Sequence, residues 1–227
     1  MRTIHTMTAW STGQHETVRA RIAAHRAADE IIQGIGWNGK RGCAIGCSLD
    51  VYDHEEFATV VIGNNARNDG IKIARLVDRL HELLPLDLAL DWPGRVANAL
   101  TPGADTTHVL ARWFVWFLRV ELHERDITTY GEQIAVLYER RIAGDEPDAN
   151  EWTDAADAAY DAVSAIYDAA VAATSNATGY GAYSDYPVRV NATYGSATRM
   201  ADALIEIMAA TTPWASRKPI ATAMKGG

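Results

Sequence analysis

The chain has 227 residues, 48% of them apolar and 22% charged, with a formal net charge of −8. A chain of this length buries roughly 70% of its unfolded surface, and the composition excludes a fibrous or wholly disordered protein. The negative balance and the lack of any basic run argue against nucleic acid as a partner, because duplex binding draws on Lys/Arg clusters that displace counterions.

Apolar residues at steps of three and four, namely Val18, Ile22, His25, Ala28 and Ile32, predict a first helix over His15–Gln33 that stops at Gly34. A Gly-rich stretch from Gly34 to Gly42 forces tight turns and leads into Cys43–Leu49, read as a short helix or an extended piece. The residues from Ile71 to Leu84 predict an amphipathic helix. Its stripe is Ile73, Leu76, Val77, Leu80 and Leu84; Asp78 faces water, as does His81 at the helix edge. Pro85 ends that helix and a short one begins near Pro93. Asp105 is the expected N-cap of a helix carrying Val109–Val120, apolar nearly all round between Trp113 and Leu118 and therefore central. Its aromatic cluster reads as core and not as a ligand box.

Thr129 and Glu132 have capping-box spacing and open a helix with Ile134, Leu137, Tyr138 and Ile142, closed by Gly144. The acidic run Asp145–Glu151 reads as a solvated linker. Beyond it, Trp152–Thr174 is Ala-rich, 175–195 is rich in Gly, Ser, Asn and Tyr, and Ser196–Ala210 predicts a last helix. Strand signals are confined to two short β-branched runs, so the expected fold is all-α. The expected organisation is a helical domain over 1–144 around a central Trp/Phe-rich helix, an Ala-rich antiparallel helical lobe over 151–211, and a flexible tail over 212–227. An exposed apolar stripe on that lobe would make a homodimer.

Two cysteines are too few for a secreted disulfide framework, and the first residues lack the apolar core of a signal peptide. The most apolar run, Trp113–Leu118, is far below the ~20 residues of a membrane span. A cytoplasmic protein with reduced thiols and no membrane partner is expected.

The constellation richest in chemistry is His25, Asp29, Cys43, Cys47, Asp53 and His54. A thiol acts as nucleophile when thiolate, favoured beside a histidine. His25 lies one turn before Asp29, which could fix its tautomer, and the Cys43 amide after Gly42 could face an oxyanion. The plainer reading makes both cysteines small buried residues and His25 a satisfied core histidine. Three residues between the cysteines suit a metal pair, but no second Cys/His pair exists, so neither metal nor cofactor is expected. Gly34-Ile35-Gly36 with Gly39 is no dinucleotide fingerprint. Tyr180, Tyr183, Tyr186 and Tyr194 sit in a setting resembling binding loops, where tyrosine supplies contact area at low entropic cost.

From Asp29 to Leu118 the sequence resembles a family of uncharacterised phage, prophage and bacterial proteins. The carrying segments are His25–Gly34, Gly42-Cys43-Ala44-Ile45-Gly46-Cys47-Ser48, Tyr52-Asp53-His54, Leu76-Val77-Asp78 with Leu83-Leu84-Pro85, Trp92-Pro93, Thr101–Asp105 and Trp116-Phe117-Leu118. The Ala-rich part is similar as well. Where that family carries a Gly-Ile-Pro helix start after the His54 region, this chain reads Ile62-Gly63-Asn64-Asn65. The resemblance implies a setting and no reaction. Two functions follow as expectations. The first is an accessory protein of phage or mobile-element type that binds a host or phage protein without catalysis, in counter-defence or regulation. The second is a small Cys-dependent hydrolase or transferase using Cys43 or Cys47 with His25 or His54.

Overall fold

The computed structural model describes residues 6–65, 68–121, 128–156 and 186–211. Among these the chain is all-α: it contains no strand, only isolated bridges of Thr8 with Asp105 and of Gly42 with Ile31 and Trp37.

Helix α1 spans Thr12–Ala27 and opens on a capping box, in which Ser11 and Gln14 each satisfy the other's backbone amide. It ends six residues before the predicted limit. Asp29 takes a left-handed conformation with φ 54°, which Asp tolerates better than most residues, and the Glu30 amide turns back to His25 O at 2.9 Å. Residues 30–32 then bond to Gly42, through Gly42 N to Glu30 O at 3.0 Å and Ile32 N to Gly42 O at 2.9 Å. These distant partners divert the chain from the helix its periodicity predicts.

The Gly-rich strap leads into α2, Ala44–Leu49, so the open choice at Cys43–Leu49 resolves as helix. A one-turn helix α3, His54–Phe57, is capped by the Asp53 carboxylate, and a π-helical turn follows over Ala58–Ile62. Helix α4, Asp69–Leu83, is the buried axis: Ile73, Ala74, Val77 and Leu80 are all sealed from water, and it touches α2 and α3 before it and the helices that start at Leu86, Val109 and Tyr186 after it. Helix α5 covers Leu86–Ala99 with Pro93 inside it, and Pro85 sits at its N-cap. It therefore starts seven residues ahead of the expected site. The Trp92 indole bonds Val77 O at 2.9 Å and locks α5 to α4.

Asp105 does not cap the next helix. Its carboxylate receives Thr107 N at 2.9 Å, while Thr106 and Thr107 tie to Ile62 O and Met7 N. These bonds delay α6 to Val109–Trp116, after which the chain makes a second π-helical turn, Phe117–Glu121. Trp113 is buried and stacks on Phe117 with ring centres 5.2 Å apart. Phe114, Tyr138 and Trp152 continue the aromatic contact onto α7, Thr128–Ile142, and the helical residues 149–156. The acidic segment between them is bound down: Asp145 and Glu151 both pair with Arg140, and Asp148 caps the following turn.

The last helix, α8, spans Tyr186–Ala209, ten residues longer at its start than predicted. Its Ala201, Leu204 and Met208 join the same core as Ile73 and Val109. Buried Glu121 accepts from Ser196 and from Arg199, the latter at 2.9 and 3.0 Å. Buried Asp69 pairs with Arg141 of α7. No described helix is long and apolar enough to cross a membrane.

Candidate functional site

The strap is compressed against α2. A Cβ on Gly42 or Gly46 would overlap Gly36 O, and one on Gly36 would overlap the ring of Tyr52. The Cys43 amide is consumed by this packing, donating to Ile35 O at 2.8 Å and Gly36 O at 3.1 Å, so no bare amide faces an oxyanion there. Cys43 and Cys47 are 1% and 0% exposed. The Cys47 thiol donates to Gly42 O at 3.2 Å. Burial pushes the Cys43 thiol up to about 12, with the Asp78 carboxylate beside it adding to the rise. Burial likewise raises Cys47 to about 11, and Glu30 and Asp50 add to it. At neutral pH both are thiols, the unreactive form.

His25 is held by Glu30 at 2.8 Å and Asp50 at 2.9 Å, and not by Asp29, whose side chain is 88% exposed. The helix unwinds before position 29, so the four-residue spacing no longer brings Asp29 under the imidazole. His54 Nε2 meets Asp78 Oδ2 at 3.1 Å, and the Tyr52 hydroxyl donates to the same oxygen at 2.8 Å. Asp78 therefore does not face water as predicted but serves as a shared acceptor. It holds the Tyr52 hydroxyl up to about 12. Neither thiol hydrogen-bonds an imidazole among the described residues, and no group of three or more His, Cys, Asp or Glu there is placed to hold a metal.

His81 does not face water at the helix edge, as its residue type predicts, but lies inside the core. It is 0% exposed, neither ring nitrogen has a hydrogen-bond partner among the described residues, and Asp78 Oδ1 is likewise unpartnered. Burial lowers its pKa from 6.5 to about 4, against the pull of Asp78. The signal was present: position 81 lies four residues after Val77 and three before Leu84, on the buried stripe itself.

Tyr180 and Tyr183 lie outside the described residues, and Tyr186 and Tyr194 belong to helix α8 and not to a loop. Around the strap, Ile35, Val51 and Tyr52 are 44%, 39% and 47% exposed. Tyr52 lies on Gly36, next to Ile35, and Glu82 accepts Gly34 N at 2.7 Å. Glu55 and Glu56, three and four residues after Tyr52, are exposed as well. No protein-family model, curated protein or solved structure matches the chain.

Proposed function

We propose that the chain is an accessory protein of phage or mobile-element type that works by binding a host or phage protein, in a counter-defence or regulatory role. The observation that carries this reading is the exposed trio Ile35, Val51 and Tyr52. Solvent-facing apolar side chains grouped at one place mark interaction surfaces, and tyrosine is a preferred anchor there. Tyr52 is held in advance by its hydroxyl bond to Asp78 and its seat on Gly36, so docking onto it costs little side-chain entropy. The rim is acidic, with Glu55 and Glu56 unpaired by any cation among the described residues, which suits a partner whose surface is basic around an apolar centre. The phage-type resemblance of residues 29–118 supplies the setting.

The test is a photocrosslinker placed at Val51, with Val136 of α7, 41% exposed, as the control site. A partner captured from Val51, absent from Val136 and lost on Glu55→Lys/Glu56→Lys supports the reading. Equal capture at both sites, or none, removes it.

A further inference from the structure

Helices α1 and α5 run antiparallel: Arg26 pairs with Asp91 at 2.9 Å, Ile22 lies opposite Gly94, and His15 reaches Ala97 O at 3.0 Å. Ala23, Gly94 and Ala97 are too small to fill the seam, and a groove of about 190 Å³ opens between the helices, lined also by Ile22 and Leu90. One end is closed by the Arg26–Asp91 ion pair. At the other end stand Arg19 and Asn98, both exposed. Arg19 has no acidic partner among the described residues, although the chain as a whole carries a surplus of carboxylates.

We infer that this groove binds a small amphipathic carboxylate, one with a short apolar body and a single anionic head. The guanidinium of Arg19 offers paired N–H donors that match a carboxylate, and Asn98 offers an amide donor beside it. The apolar body replaces water over Ile22, Ala23, Gly94 and Leu90. At interior packing density the space takes about ten non-hydrogen atoms, the size of a medium-chain fatty acid. The sequence is consistent with an opening kept for use: Gly94 sits inside a helix, where glycine is disfavoured, and a Cβ there would stand 4.0 Å from Ile22 Cγ2, fitting without collision but occupying the groove. This site is independent of the docking face at Tyr52.

Calorimetric titration of the full chain with octanoate tests it, with acetate (head without body) and octylamine (body with the opposite charge) as controls. The inference expects saturable one-to-one binding of octanoate alone, weakened at least tenfold by Arg19→Gln and abolished by Ala23→Leu. Ala23 is an exposed helix position, so the filling variant is expected to keep the native circular dichroism; if it does not fold, Gly94→Ala provides the same reading. No saturable octanoate binding, equal binding of octylamine, or affinity unchanged in both variants overturns the inference.

Discussion

A methyl group placed on Gly46 would overlap the carbonyl oxygen of Gly36. The strap can lie flat on α2 only because neither Gly42 nor Gly46 carries a side chain, and that contact also fixes the Cys43 amide on Ile35 and Gly36. Gly46→Ala is expected to destabilise the protein by about 3 kcal/mol, since backbone must move to relieve the overlap. Gly13→Ala, in the first turn of α1 with nothing within 4 Å, is expected to stabilise by up to about 1 kcal/mol. Urea unfolding of the two variants side by side checks the contrast.

Thiol reactivity separates packing from chemistry. With Cys43 and Cys47 pushed to about 12 and about 11, native protein is expected to resist iodoacetamide at every pH up to 9, and unfolded protein to take two labels. A cysteine that labels fast at pH 7 in the native state would return the Cys-dependent enzyme to consideration.

The stripe of α4 was legible because Ile73, Val77, Leu80 and Leu84 repeat at the helical period and bury as that period demands. The stop at Gly144, with φ 89°, was legible for a similarly local reason. The end of α1 was not, because Ala28 and Ile32 fit the helical pattern while the deciding bonds join residues 30–32 to Gly42. The same long-range event replaced Asp29 by Glu30 as the partner of His25. Residue type misled at two positions of α4: Asp78 and His81 are ionisable, and an ionisable residue is by default assigned to solvent. Nothing local announces that Tyr52 and His54 arrive to meet Asp78 from 26 and 24 residues away.

His81 makes stability depend on acid. Its folded pKa of about 4 lies below the unfolded 6.5, so the unfolded chain binds the extra proton between those values. Stability is therefore expected to fall as pH drops from 6.5 to 4, by about 3 kcal/mol in total, and to lose nothing further from this group below pH 4. His81→Leu is expected to remove that slope and leave the fold intact. A slope unchanged in the variant, measured by urea unfolding at each pH, would assign it to other groups.

Asp78 raises the Tyr52 hydroxyl from 10 to about 12 chiefly by accepting its hydrogen bond. Asp78→Asn is expected to bring Tyr52 back toward 10, read as the difference in ultraviolet titration between this variant and its combination with Tyr52→Phe. The same change is expected to weaken capture at the Val51 crosslinker modestly, because a neutral amide oxygen holds the Tyr52 hydroxyl less strongly than a carboxylate does.

The ion pairs are unequal. Arg141 and Asp69 are 8% and 1% exposed in their side chains, and Arg141→Met is expected to cost about 3 kcal/mol because a carboxylate stays buried with less charge around it. Arg119 joins Glu132 and Glu139 at the surface, and Arg119→Met is expected to cost about 1 kcal/mol or less. Thermal unfolding ranks the two.

Gln33 donates one amide nitrogen to His81 O at 2.6 Å and to Leu84 O at 2.9 Å, beside the corner where α4 gives way to α5 at Pro85. The hinge between the two helices is thus clamped by a side chain from about fifty positions upstream. Amide exchange should report the strap and this corner opening together, as one cooperative unit, and Gln33→Ala should split them into two.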